Sequence, residues 1–121
     1  MIPLPGSVRI YVATVPADMR NSFTGLSMLA EHVMRQDPRS GHIFVWFNRR
    51  GDQARLLWWD RTGYAIFAKR LERGTFRLAK APPPNATHIA IDSAELGLLL
   101  EGIDLSNAHR RKRFSVVREV A

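Results

Sequence analysis

Cysteine is absent from the 121 residues of the sequence. Its absence excludes disulfide bonds, thiolate nucleophiles, iron–sulfur clusters and zinc sites with cysteine ligands. A chain without cysteine also suits a reducing compartment, and we therefore expect a cytoplasmic protein.

Long apolar runs are missing as well. No stretch approaches the roughly 20 apolar residues that a transmembrane helix needs. Residues 1 to 5 also lack the basic region followed by an apolar stretch that marks a secretory signal. We expect a chain that neither spans a membrane nor is secreted.

Motifs of common enzyme classes are missing too. The sequence has no Gly-x-Ser-x-Gly turn and no glycine-rich phosphate loop. The short spacings of metal ligands do not occur among its histidines, which are His32, His42, His88 and His109. We therefore expect no cofactor, no metal and no enzymatic activity.

Three carboxylates keep one catalytic alternative open. Asp18, Asp52 and Asp60 could hold a divalent ion for nuclease chemistry if the fold brought them together. Each also has an ordinary structural use. Asp18 can cap a helix, whereas Asp52 and Asp60 stand in turn sequences that favour aspartate.

Positive charge is what the chain has in excess. Its net charge is +7 and its pI is near 11.0. The charge is also blocked, because residues 35 to 80 carry eleven basic and four acidic residues, whereas residues 81 to 105 carry no lysine or arginine. This pattern favours a polyanionic partner, above all nucleic acid, over the alternative of a basic surface that only aids solubility.

The N-terminal part predicts a strand followed by a helix. Residues Ser7 to Ala13 alternate apolar and polar side chains, which is the period of a half-buried strand. After Asp18, apolar residues recur at helical spacing and end before Pro38. The predicted buried face of this helix comprises Met19, Phe23, Leu26, Ala30 and Val33.

The central part, from His42 to Lys69, predicts a three-stranded antiparallel meander. Its strands are expected at Ile43 to Phe47, Ala54 to Trp59 and Tyr64 to Ala68. Pairing of Asn48 with Gln53 and of Trp59 with Tyr64 gives a sheet with two apolar faces. Such a sheet must be covered on both sides or must use one face for a partner.

The C-terminal part predicts two further strands and a second helix. After Gly74 we expect a strand at Thr75 to Leu78, then an extended loop at Pro82 to Asn85 and a strand at Thr87 to Ile91. Helix two should begin with Asp92 and Glu95 as a capping box and stop at Gly102.

The elements together predict a single α+β domain, with a mainly antiparallel sheet packed by two helices, over residues 1 to 108. Residues 109 to 121 should form a mobile basic tail.

Basic residues interleaved with tryptophan are the strongest functional signal. Arginine offers a fork of donors to phosphate, and tryptophan can stack on bases. Tryptophans of small domains are more often core residues, however, and the neighbours Trp58 and Trp59 must point to opposite faces of a strand. The candidate nucleic-acid-binding residues are Arg49, Arg50, Arg55, Arg61, Lys69, Arg70, Arg73, Arg110, Arg111, Lys112 and Arg113.

The predicted register brings part of this set together. Gln53 should lie opposite Arg70, which returns the chain to the first turn of the meander, whereas Arg61 lies at the other end. Five cations should therefore converge from two segments, namely Arg49, Arg50, Lys69, Arg70 and Arg73.

Landmarks along residues 8 to 104 resemble TnpB, the small accessory protein of IS66-type bacterial insertion sequences. They are Asp18-Met19-Arg20, Gly25-Leu26, Pro38, Ser40-Gly41, Phe44-Val45, Asn48 to Asp52, Leu56 to Asp60, Lys69 to Glu72, Gly74, Phe76 and Leu99 to Gly102. The resemblance implies an auxiliary role in transposition beside a separate, larger transposase. It supplies no catalytic residues.

Three functions are therefore compared. The first is a non-enzymatic factor that binds DNA, such as transposon ends, through a basic patch and assists the transposase. The second is an adaptor that docks the transposase through an apolar sheet face. The third is a metal-dependent nuclease using Asp18, Asp52 or Asp60. The oligomeric state does not follow from the sequence.

Deletion of residues 109 to 121 should leave the fold intact, because the basic run contributes little apolar burial. The same deletion should weaken binding to any DNA duplex, since it removes phosphate contacts that do not depend on sequence. Thermal unfolding and binding to two unrelated duplexes measure the two effects. A large loss of thermal stability would show that the tail packs as structure.

Overall fold

The computed structural model describes residues 7–78 and 81–102. Its elements are β1 (Ile10–Ala13), α1 (Phe23–His32), β2 (Ile43–Phe47), β3 (Gln53–Trp59), β4 (Tyr64–Arg70), β5 (His88–Ile91) and α2 (Ser93–Glu101). The predicted tail and its cations Arg110, Arg111, Lys112 and Arg113 lie outside the described residues. In the described part, no helix has the length and apolar character needed to cross a membrane.

The strands form one five-stranded sheet in the order β4-β3-β2-β1-β5. Strands β1 and β2 are parallel, and the connection between them contains α1. The other neighbouring pairs are antiparallel. This arrangement confirms the predicted α+β class with a mainly antiparallel sheet.

The meander has the predicted register. The Asn48 N–H donates to the Gln53 carbonyl at 3.1 Å, and Trp59 lies opposite Tyr64. The Asn48 side chain closes the first turn, because its Oδ1 accepts from the N–H groups of Asp52 and Gln53 at 3.0 Å each. Gly51 completes the turn with φ of +78°, a conformation that glycine adopts without steric cost.

One face of the sheet packs on α2. Leu96 and Leu99 of that helix are buried against the sheet, and Phe76 covers the same face. Strand residues that alternate inward complete this cluster, namely Ile10, Val12, Ile43, Val45, Ala54 and Leu56. We call this side the α2 face.

The other face packs on α1. The buried helix residues are Leu26 and Ala30, followed by Met34 just after the helix, and they meet strand residues Phe44, Trp46 and Leu57. Because both faces are covered across β2 and β3, the described structure offers no open apolar sheet face there for an adaptor. We call this side the α1 face.

Helix α1 differs from its prediction at both ends. The helix begins after Ser22, and Asp18 is not its cap, since its carboxylate binds Arg20 instead. Met19 therefore lies outside the helix, and Phe23 and Val33 are exposed, at 47% and 44%. Leu26, Ala30 and Met34 are buried instead. These residues are spaced by four, and the side of α1 on which they lie, rather than the side with the predicted mixed spacing, faces β3 and β4.

The predicted strand at Thr75 to Leu78 does not form. Thr75 makes an isolated bridge, and the Phe76 N–H donates to the Gly51 carbonyl at 2.8 Å. Gly51 belongs to a turn, so no strand edge continues beside Phe76 for further pairing. Phe76 instead stacks on Phe47, with 5.3 Å between ring centroids.

Helix α2 carries the predicted capping box and stop. Asp92 Oδ1 accepts from the Glu95 N–H at 2.7 Å, and Glu95 Oε1 accepts from the Asp92 N–H at 3.2 Å. Gly102 ends the helix with φ of +75°, and a Cβ built there would lie 2.5 Å from Leu71 Cδ1. The helix end is thereby fixed beside β4.

Replacement of Asp92 by alanine should lower the free energy of unfolding by about 1 kcal/mol, because it removes the acceptor for the Glu95 N–H in the first turn. Chemical denaturation measures this change. Ser93→Ala is a control, since no hydrogen bond of its side chain is seen in the described structure. Equal stability of wild type and Asp92→Ala would contradict a role for the capping box.

Candidate nucleic-acid interface

The first turn of the meander, Asn48 to Asp52, lies at one end of the sheet that we call the turn end. Because β1 is parallel to β2, the chain that leaves β1 arrives at the same end. There the Ala17 N–H donates to the Phe47 carbonyl at 2.9 Å. Residues 16–19 and the turn together line a cleft of about 460 Å³.

Arg49 and Arg50 occupy the tip of this turn and are exposed. Both line the cleft, together with Gln53. Their placement follows from the Asn48 hydrogen bonds, which close the chain so tightly that the two following side chains are left at the surface. Neither arginine contributes to the apolar core.

Arg70 and Arg55 extend the basic surface along the α1 face. Arg70 lies opposite Gln53, and Arg55 is two residues beyond Gln53 on the same strand. Side chains two residues apart on a strand share a face, so Arg55 and Arg70 are diagonal neighbours. Arg55 is half-buried over Trp46, its partner in β2, whereas Arg70 is exposed.

Arg73 reaches the turn end through the segment that follows β4. The Leu71 N–H donates to the Asp52 carbonyl at 2.8 Å, and the Phe76 N–H donates to Gly51. These two bonds hold the intervening residues beside the turn, and Arg73 among them is exposed. We call the set Arg49, Arg50, Arg55, Arg70 and Arg73 the turn-end cluster.

Lys69 does not belong to this cluster, so the expected convergence of five named cations is wrong for this residue. It lies opposite Ala54 on the α2 face, because neighbouring residues of a strand point to opposite sides. Its Nζ donates to the Leu100 carbonyl at 2.7 Å, near the C-terminal end of α2. A cation there complements the partial negative charge of the helix end.

Arg61 lies at the opposite end of the sheet, in the turn between β3 and β4, with φ of +85°.

The tryptophans pack mainly against other residues of the domain and do not form an exposed strip for stacking on bases. Trp46 is buried, Trp58 packs against the α2-face core, and Trp59 lies under the guanidinium of Arg39 with 4.9 Å between the Arg39 Cζ and the ring centroid.

The ion pair present in the described residues does not involve the arginines of the turn-end cluster. Within residues 7–78 and 81–102, the ion pair present joins Arg20 to Asp18 at 2.6 Å. The described carboxylates lie beyond 4.0 Å from the guanidinium groups of the cluster. A set of arginines without carboxylate partners projects its charge into solvent.

The three carboxylates of the nuclease alternative do not converge in the described structure. Asp52 Oδ1 accepts from the Asn48 amide, and Asp60 Oδ1 accepts from Thr62 and Gly63 in the far turn. Asp18 is engaged by Arg20. Among the described residues, no group of three histidines or carboxylates is placed to hold a metal ion.

Asp18 has a distinct electrostatic state. Hydrogen bonds from the Arg20 side chain and from the Arg20 backbone lower the pKa of this carboxyl from 3.8 to about 2. The same ion pair raises the pKa of Arg20. His88, farther along the sheet, has a pKa lowered by burial.

Comparison with known proteins gives one family. The model of the family described as IS66 Orf2 like protein, TnpB_IS66, matches residues 8–110. An uncharacterized protein of Sinorhizobium fredii, y4hO, is 38% identical over 104 residues, which cover 86% of this chain and 88% of the relative. A second one from the same organism, y4jC, is 34% identical over 111 residues, 92% of each chain. No solved structure matches significantly.

Replacement of Arg20 by glutamine should return the pKa of Asp18 from about 2 towards 3.8, because the charged donor is lost. Since the pKa is depressed in the folded state, the contribution of Asp18 to stability is present above pH 3.8 and is lost as pH falls towards 2. Carboxyl NMR titration measures the shift. An unchanged Asp18 titration in the variant would show that Arg20 does not cause the low pKa of Asp18.

Proposed function

The chain belongs to the IS66 Orf2-like family of insertion-sequence proteins, whose role in transposition is accessory, and on this premise we propose that it binds DNA through the turn-end cluster. In this proposal the protein holds a duplex by its phosphates and assists a separate transposase. It performs no cutting or joining itself.

One observation carries the proposal: the chain positions of five arginines from separate segments lie at or near one end of the sheet, and no described carboxylate lies within 4.0 Å of their guanidinium groups. Arginine presents donors in a planar fork that matches two phosphate oxygens, so the residue type suits the ligand. The cluster combines a tip, at Arg49 and Arg50, with a flank, at Arg55 and Arg70. Such a surface can contact successive phosphates of one strand.

Phosphate contacts fix position on a duplex but do not read its sequence. The cluster itself consists of arginines alone, and the tryptophans are occupied by the core or by Arg39. We therefore propose binding that depends on salt more than on base sequence. Arg110, Arg111, Lys112 and Arg113 would add contacts of the same kind.

The transposase is the proposed protein partner, because an accessory protein has to act with the enzyme that performs the chemistry. In the adaptor alternative the protein binds the transposase, and its contact with DNA is incidental. Its proposed contact, an apolar sheet face, is covered by α1 and α2 across β2 and β3 in the described structure. This coverage favours the DNA-binding proposal.

The double replacement of Arg49 and Arg50 by alanine should weaken binding to all duplexes to a similar degree. If both side chains contact phosphate, the slope of log affinity against log salt should fall in magnitude by roughly 1.8. Fluorescence anisotropy over a salt series, with transposon-end DNA and a scrambled duplex, measures both quantities.

A double replacement of Arg9 and Arg61 by alanine is the matched control. It removes the same charge from the opposite end of the sheet, where β1 begins and β3 ends. Equal losses for the two double variants would reject the turn-end cluster in favour of net charge alone. Retention of the transposase after nuclease treatment, without DNA binding, would favour the adaptor. Magnesium-dependent cleavage that is lost in Asp60→Asn would show a nuclease.

A further inference from the structure

Strand β4 forms one edge of the sheet. Its pairing with β3 is continuous over seven residues, from Tyr64 to Arg70, with no bulge in the register. In residues 7–78 and 81–102, no strand pairs with its outer side. A long regular edge presents unpaired N–H and C=O groups in a row and so offers a template for another strand.

The hydrogen bonds at both ends of β4 identify which residues face outward. The Leu71 N–H donates to Asp52, and the Gly63 carbonyl accepts from Asp60, so the odd-numbered residues turn their backbone groups towards β3. These directions alternate along an antiparallel strand. The even-numbered residues therefore turn theirs outward; they are Tyr64, Ile66, Ala68 and Arg70.

Within residues 7–78 and 81–102, the middle of the edge lacks the usual protection against pairing. Natural edge strands carry charges, proline or a bulge in their middle. Residues Tyr64 to Ala68 contain no charge and no proline, and Phe67 at the centre is 39% exposed. The lysine that follows, Lys69, is engaged with Leu100 of its own chain.

We propose that β4 pairs with β4 of a second copy of this chain, antiparallel and centred on Phe67. The two sheets then become one ten-stranded sheet with a twofold axis perpendicular to it. The proposal concerns assembly and is independent of the proposed function, since dimerisation and DNA binding are measured separately.

This register satisfies every outward backbone group of the strand. Centring on Phe67 sets Ile66 opposite Ala68 of the second copy, and Tyr64 opposite Arg70 of the second copy. Each of these is a hydrogen-bonded pair, in which the two residues exchange both N–H to C=O bonds. A shift by two residues keeps the direction of the bonds but leaves terminal groups unpaired.

Side chains favour the same register. The two Phe67 residues form a non-hydrogen-bonded pair, in which opposing side chains lie closest, and aromatic cross-strand pairs are stabilising. Burial of the exposed ring adds a hydrophobic contribution. Arg70 lies opposite Tyr64 of the second copy, so that its guanidinium meets an aromatic ring. The two Arg70 residues therefore lie at opposite ends of the interface and do not face each other.

The absence of cysteine allows a direct test by single-cysteine variants under mild oxidation. In Phe67→Cys the two thiols would face each other at a separation suited to a disulfide, and the main species should be a covalent dimer. Ala65→Cys is the matched control on the same face of the same strand. Its two copies would lie roughly 13 Å apart along the strand direction, too far to bridge.

Sedimentation equilibrium and amide exchange of the full chain complete the test. Wild type should be a dimer in which the Ile66 and Ala68 amides are protected. Phe67→Lys should be monomeric with fast exchange at both amides, whereas Leu98→Lys, at an α2 residue that is 70% exposed, should remain a dimer. If Phe67→Lys does not fold, the cysteine pair still decides.

Three outcomes would overturn the proposal. A wild-type monomer with unprotected Ile66 and Ala68 amides would show an unused edge. A monomer with protected amides would show that the chain covers its own edge. A dimer in which Ala65→Cys cross-links as readily as Phe67→Cys would place the contact in another register or on another surface.

Discussion

The turn from Asn48 to Asp52 is the constraint on which the rest of the described structure depends. The Asn48 side chain accepts from two backbone N–H groups and donates to the Asp52 carboxylate, so the turn is held from within. Its closure sets the register of β2 on β3, and that register decides which residues of the meander face α1 and which face α2. A slip of one residue would exchange the two faces.

The same turn also anchors neighbouring segments of the chain by backbone hydrogen bonds. The Leu71 N–H donates to the Asp52 carbonyl, and the Phe76 N–H donates to the Gly51 carbonyl. In the loop after β1, the Ala17 N–H donates to the Phe47 carbonyl beside the turn. These bonds bring Phe47 and Phe76 together in the core of the α2 face, while Arg49 and Arg50 at the tip of the turn remain exposed. The arginines at the turn end are therefore compatible with a core that extends to the base of the turn.

Local chemistry explains which features could be predicted from the sequence. The meander register and the α2 capping box rest on residues close in sequence, such as Asn48 with Gln53 and Asp92 with Glu95, and both are confirmed. The buried face of α1 could not be fixed in this way. Phe23 and Val33 fit helical spacing as well as Met34 does, and the choice is made by contact with β3 and β4, which are distant in sequence.

The candidate site shows the same division. Opposition of Gln53 and Arg70 was predictable from the turn, and it correctly brings Arg70 to the turn end. Lys69 and Arg70 are neighbours in sequence but lie on opposite faces, because adjacent strand residues point to opposite sides, so closeness in sequence does not define a patch. The sequence offers Arg55 as a candidate binding residue, but its place diagonal to Arg70 follows only when strand register is combined with the face of each residue.

The proposed β4 dimer and the proposed DNA-binding cluster have a simple geometric relation. Pairing of two β4 strands about Phe67 keeps the α1 face of both copies on one side of the sheet, because opposing side chains of an antiparallel pair share a face. The two Arg70 residues would then be displaced by roughly 20 Å along the strand direction, six residues at about 3.4 Å each. A duplex advances by a similar distance over about six base pairs. In the proposed dimer the two Arg70 residues would therefore be spaced to contact phosphates related by the local twofold symmetry of one duplex, and the second contact would add avidity.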